Sequence, residues 1–269
     1  MLKPLKTHRK TAKTSLKQGK ILKISLNSTS RAQVLAFVRD SIARGYKFWI
    51  STPNPEIILQ AERDDELAKA IEDSDIAIPD GVGLIYAAKF LGLPKINLIK
   101  GREMFMDLVA LASKKGWKIF LLGGGPGVAK EAGQNLRKTF KKVRIAVSSG
   151  PTYNKEGEPV NLKGLSVHKE TLAQINEFAP DLLFVAFGAP KQEKWVFKNL
   201  PRLKVGGAMV VGGTFDYIAG KATLPPKWMA KAGLEWLWRL MIQPTRFVRI
   251  IKATIIFPLK VLLSRLNTP

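Results

Sequence analysis

Between residues 21 and 220, short runs of consecutive apolar residues alternate with longer stretches in which apolar positions recur at helical spacing. The runs at residues 20–26, 47–51, 75–78, 117–122, 144–149, 182–186 and 208–211 predict strands. Most are apolar without a break, the pattern of strands covered on both faces; a sheet with one wet face would alternate instead. Helices are predicted between them at residues 30–44, 55–73, 83–91, 101–115, 128–140, 169–177 and 191–199. The helix at residue 55 has a clear start, with Asn54 placed to cap it and Pro55 at its first position. Strands and helices in alternation predict an α/β fold with a Rossmann-like, mostly parallel sheet and helices on both faces.

The flanks differ from this central domain. Residues 1–20 are basic and polar, too poor in large apolar groups to offset the cost of ordering the chain, and are read as a solvated tail. No apolar stretch of the secretory type follows, so the tail is not read as a signal peptide. Residues 221–269 mix nine Lys and Arg and a single acid, Glu235, with Trp228, Trp236, Trp238, Phe247, Ile250, Ile251, Ile255, Ile256 and Phe257. Aromatic and aliphatic groups interleaved with cations are suited to the head-group boundary of a membrane, so this segment predicts a basic amphipathic helical appendage. Pro244 is expected to end one helix and open the next, and Pro258 to interrupt that one.

Charge narrows the choice of partner. Lys and Arg number 44 against 21 Asp and Glu in 269 residues, a formal +23, which raises the local concentration of phosphate-bearing partners of any kind. A nucleic-acid binder would carry base-stacking aromatics on its basic face. Here the aromatics gather at the C-terminus with long aliphatics, which fits lipid better and argues against nucleic acid. The absence of cysteine excludes disulfides and thiolate-bound zinc, and with only His8 and His168 available no metal site is expected. No window offers the ~18 uninterrupted apolar residues of a membrane span, so the chain is expected to remain on the cytoplasmic side.

Four polar or glycine-rich loops, besides the glycine cluster at residues 123–125, follow predicted strands, and in a doubly wound sheet such loops share the C-terminal strand edge where ligands bind. Thr52 and Asn54 lie in the first loop. The glycine cluster Gly123, Gly124 and Gly125 lies between a strand and a helix, where exposed backbone amides suit a diphosphate; a tight turn with no ligand is the other reading. Asp80, in Pro79-Asp-Gly81, is a candidate general base and also sits in an ordinary turn sequence. Lys191, Gln192 and Glu193 follow the strand at 182–186, and Gly213 and Asp216 the strand at 208–211, with Lys191 offered to phosphate and Gln192 to a sugar or a uracil edge. Together these loops predict a substrate crevice.

Taken in order, Thr52-Pro-Asn-Pro-Glu56, Pro79-Asp-Gly-Val-Gly83, Phe120-Leu-Leu-Gly-Gly124, Phe187-Gly-Ala-Pro-Lys-Gln-Glu193, Val211-Gly-Gly-Thr-Phe-Asp216, Gly233-Leu-Glu-Trp-Leu-Trp-Arg-Leu240 and Gln243-Pro-Thr-Arg246 resemble the motifs of the WecG/TagA/CpsF glycosyltransferases of bacterial surface-polymer synthesis. The resemblance implies an inverting transferase, peripheral on the cytoplasmic face of the inner membrane. It implies a UDP-sugar donor, typically UDP-N-acetylmannosamine, an undecaprenyl-diphosphate-linked N-acetylglucosamine acceptor, an anionic membrane surface as partner, and no metal or other cofactor. It implies Asp80 as base, Thr52, Asn54 and Gln192 in the pocket, and Arg239, Arg246 and Arg249 on an appendage that closes over the site. Self-association is left open. One departure stands out: where the family usually has Arg-Val-x-Gly-x-Asp, this chain has Leu98-Ile-Lys-Gly-Arg-Glu103, which leaves Lys100 and Arg102, starting from other backbone positions, as the candidates to replace the missing arginine's charge. That change leaves a UDP-hexose or UDP-glucuronic acid donor as the alternative, with a basic nucleic-acid-binding protein more remote.

Overall fold

The structure, a computed structural model, describes residues 18–266, without the side chains of Gln18, Ala230, Lys231, Arg239 and Arg246. Six of its strands, β3 (Phe48–Ser51), β4 (Ile76–Ala77), β5 (Lys118–Gly123), β6 (Arg144–Ser148), β7 (Leu182–Ala186) and β8 (Gly207–Val210), form one sheet in the order β4-β3-β8-β7-β5-β6. Every pairing in it is parallel. The alternation of side chains along a strand explains why the runs had to be apolar throughout. Ile119 and Leu121 of β5 enter the core on one face, and Phe120 and Leu122 enter the core on the other. The first face is covered by α1 (Arg31–Ala43), α5 (Gly101–Lys115), α6 (Val128–Thr139) and α9 (Thr214–Ile218), the second by α7 (Leu162–Phe178) and α8 (Lys191–Asn199).

A third apolar cluster extends the sheet layer sideways. It joins Ile21, Ile24 and Leu26 to α2 (Pro55–Ala61), α3 (Asp65–Asp73) and α4 (Val82–Phe90). The sequence pattern differs from the structure here in two places. The run at 20–26 is a hairpin of β1 (Gln18–Ile21) and β2 (Ile24–Asn27), turned at Leu22 with φ 53°, and not one strand. The single helix expected over 55–73 is broken, because the Asp64 side chain accepts a hydrogen bond from the Leu67 amide and starts a new helix. Of the expected tail, residues 1–17 lie outside the described residues, and Gln18–Ile21 belongs to the hairpin.

The C-terminal segment comprises α10 (Lys227–Lys231), α11 (Glu235–Ile242), a 3-10 turn at Pro244–Arg246, α12 (Phe247–Ile251), a π-helical stretch at Lys252–Ile256, and α13 (Phe257–Leu266). Pro244 ends α11 as expected, but Pro258 does not interrupt the helix. The wider π register falls immediately before Phe257 and leaves Pro258 at the second position of α13, where a missing N–H is tolerated. Phe257 and Val261 are fully buried in the third cluster, so the segment is seated on the α/β unit. Among the described residues no helix is long and apolar enough to cross a membrane.

Candidate functional site

All six parallel strands end at the same edge, and the loops that follow them line one polar cleft of about 810 Å³. Its floor is tied together by main-chain bonds between neighbouring loops: the Ile78 amide donates to Ser51 O and the Asp80 amide to Pro53 O. Thr52, Asn54 and Asp80 therefore share one wall. The Asn54 side-chain oxygen is occupied in capping α2, where it accepts from the Ile57 amide at 3.0 Å. Asp80 is half-buried and packs over the first residue of α5: a Cβ built on Gly101 would lie 3.1 Å from Asp80 Oδ2 and 3.4 Å from Thr52 Cγ2. The carboxylate can occupy this place because residue 101 has no side chain. Gly101 was not among the expected site residues; its signal was its position directly after Lys100, inside the motif that departs from the family.

The glycine cluster serves two purposes. Gly123 ends β5 with φ 106°, and a Cβ there would come within 2.9 Å of the Ala186 carbonyl, so this glycine lets two strands' ends approach and does not line the cleft. The Gly124 amide donates to Ala186 O at 2.9 Å. Gly124, Gly125 and Gly127 form the rim of the cleft ahead of α6.

Gln192 joins the loops after β7 and β8. Its Oε1 accepts from the amides of Gly188 at 3.2 Å and Gly212 at 3.1 Å, and its Nε2 donates to Glu193 Oε1 at 2.9 Å. The side chain expected to read a sugar or uracil is thus largely occupied in shaping the cleft wall. Glu193 lies behind that wall, 1% exposed, with Oε2 unpartnered, and burial pushes its carboxyl up to about 7 against the opposing effect of the Gln192 hydrogen bond. Lys191, Gly213 and Asp216 line the cleft.

Sequence reasoning missed the loop after β6. Ser149, Gly150, Pro151, Thr152 and Tyr153 line the cleft, and the turn-forming cluster after a strand was the signal that would have found them. Tyr153 packs at a tilt of 46° against Phe187 with ring centroids 4.4 Å apart, and its hydroxyl meets His168 Nδ1 at 3.0 Å. Burial raises the Tyr153 hydroxyl well above its usual range, and burial followed by the charge of Arg202 lowers His168, so both stay neutral at pH 7.

The C-terminal segment supplies the remaining wall through Glu235, Gln243 and Arg249. Two ion pairs hold it there, Lys100 with Glu235 and Arg249 Nε with Glu56 Oε1 at 2.8 Å. Arg239 and Arg246 lie on α11 and the 3-10 turn, and their side chains fall outside the described residues. Lys100, Arg102, Lys191 and Arg249 thus bring positive charge to the cleft against Asp80, Asp216 and Glu235. Arg102 also stacks over the Tyr217 ring at 5.2 Å. Leu98, by contrast, is absent from this cleft and lines a neighbouring apolar cavity. Among the described residues, no three His, Asp or Glu side chains gather as metal ligands would.

Residues 19–269 match the Glycosyl transferase WecG/TagA/CpsF family. A Bacillus subtilis (strain 168) protein named N-acetylglucosaminyldiphosphoundecaprenol N-acetyl-beta-D-mannosaminyltransferase is 30% identical over 204 residues, 75% of this chain and 74% of the relative. A Staphylococcus aureus (strain NCTC 8325 / PS 47) protein of the same name is 27% identical over 243 residues, 90% of this chain and 91% of the relative.

Proposed function

The chain belongs to the WecG/TagA/CpsF glycosyltransferase family, and on that premise we propose that it moves N-acetylmannosamine from a UDP-sugar to N-acetylglucosamine carried on undecaprenyl diphosphate, in cell-surface polysaccharide synthesis. The observation that carries the proposal is Asp80, a carboxylate held against Gly101 in a six-loop cleft that also gathers Lys100, Arg102, Lys191 and Arg249. The acceptor hydroxyl attacks the anomeric carbon from the side opposite the diphosphate. Its proton passes to Asp80, and UDP departs with the bonding electron pair, inverting that carbon. Charge developing on the departing diphosphate is met by cations fixed around the cleft, which stabilise the transition state without reorganising. Lys100 and Arg102 flank Gly101 and both reach the cleft, so they supply the charge that the family places at the position of Leu98.

The appendage carries the enzyme to its lipid substrate. Its outer surface exposes Trp228, Met241, Phe247, Val248 and Ile255 among the exposed cations Lys227, Lys252 and Lys260, an arrangement suited to an anionic bilayer. Incubating the purified chain with a panel of UDP-sugars and a sugar-diphosphate lipid, followed by mass spectrometry, tests the proposal. Addition of one N-acetylhexosamine from UDP-N-acetylmannosamine is expected; transfer of a hexose or a uronic acid instead would reassign the donor.

A further inference from the structure

Beside the polar cleft lies a second cavity of about 810 Å³ whose walls are mainly apolar. It runs between α4 and the C-terminal segment, bounded by Tyr86, Ala87 and Phe90 on one side and Trp236, Ala253 and Leu262 on the other. Asn54, Asp80, Lys100, Glu235 and Arg249 line both cavities, so the two meet at the carboxylate assigned as base. Large apolar side chains border this cavity without being covered: Tyr86 is 68% exposed and Leu98 39%. Water-exposed apolar walls that lead to a polar reaction site call for an amphiphilic occupant, polar at one end and hydrocarbon at the other.

We infer that this cavity receives the hydrocarbon chain of the acceptor and that Leu98 is a specificity-determining part of its wall; the inference rests on the lipid-linked acceptor proposed above. The local backbone explains the role of Leu98. The Ile99 amide donates to Pro79 O, and Ile99 turns into the core, fully buried. Leu98 and Lys100, on either side of it, point outward, with Leu98 into the apolar cavity and Lys100 to the junction with the cleft. The residue that replaces the family arginine is therefore hydrocarbon facing hydrocarbon, while the adjoining cation stays within reach of a diphosphate. With its diphosphate at the junction, the acceptor places its sugar beside Asp80 and its chain between α4 and α13.

The test uses the full chain and two acceptors with the same sugar diphosphate, one on a short and one on a longer polyprenyl chain. The wild type is expected to show a higher kcat/KM for the longer chain. Leu98→Asp, and separately Ala253→Trp, which fills the cavity from the opposite wall, should each reduce the long-to-short ratio by about tenfold, because even a few buried methylenes carry that much. Leu98→Ile should keep the wild-type ratio, and UDP binding by calorimetry should report that each variant is folded. An unchanged ratio in both variants overturns the inference. So does a change in oligomeric state, or in vesicle binding, at constant ratio, since the cavity would then be covered by a second copy or by bulk lipid. Failure of the wild type to use either acceptor would instead refute the proposed function, so the two outcomes are distinguishable.

Discussion

Replacing Glu193 with Gln tests how the cleft wall is held. Glu193 is fully buried, and its carboxyl titrates at about 7 in place of 4.5 because burial penalises the charged form. Between those values the folded protein holds a proton that the unfolded chain has released, so stability falls as pH rises through this window and levels off above about 7. At about 1.4 kcal/mol per pH unit, the rise from 4.5 to about 7 corresponds to about 3 kcal/mol. Glu193→Gln keeps an oxygen to accept from Gln192 Nε2 but cannot ionise, so it leaves the contact that orients Gln192 in place. The variant should match the wild type near pH 4, below the unfolded value, and exceed it by roughly 3 kcal/mol near pH 8. Urea unfolding followed by tryptophan fluorescence reads this directly, because Trp195, two residues from Glu193 on α8, is fully buried. Subtracting the two curves removes every other titrating group. A difference that stays constant across the range would show that Glu193 does not titrate in this window, and the account of the wall would fail.

Three further outcomes follow from the same geometry. Asp80→Asn is expected to lower turnover by ~10²–10⁴-fold while UDP binding measured by calorimetry persists, and turnover within tenfold of the wild type would remove Asp80 from the role of base. Gly101→Ala puts a Cβ 3.1 Å from Asp80 Oδ2 and should displace the carboxylate by a few tenths of an ångström. Because alanine favours helix by up to about 1 kcal/mol over glycine, kcat should fall with no loss in Tm, and a parallel loss of both would mean that the fold, not the carboxylate, had been disturbed. Lys252→Gln combined with Lys260→Gln should weaken binding to anionic vesicles by about 2 kcal/mol, about thirtyfold, in co-sedimentation at fixed salt; unchanged binding would contradict the proposed membrane surface.

The chain's own pattern was enough to determine a good deal. Apolar runs such as Leu182–Ala186 could only be strands buried on two faces, since alternation would have been required of a half-exposed sheet. Parallel order then placed the loops carrying Thr52, Asp80, Gln192 and Asp216 at one edge, and their motifs pointed to the glycosyltransferase family before any coordinates. What the pattern did not determine depends on distances between residues far apart in sequence. The break of the helix at Asp64 rested on one side-chain cap, worth about 1 kcal/mol, between two apolar stretches at helical spacing. The division of roles at Leu98, Ile99 and Lys100 goes with contacts distant in sequence, the Ile99 amide donating to Pro79 O and the Ile99 side chain buried in the core. Gln192 reads as a ligand contact in sequence, yet two amides from separate loops and a buried carboxylate claim its polar atoms. Local propensity cannot register such contacts, because their free energy arises only when the chain has already closed the loops between them.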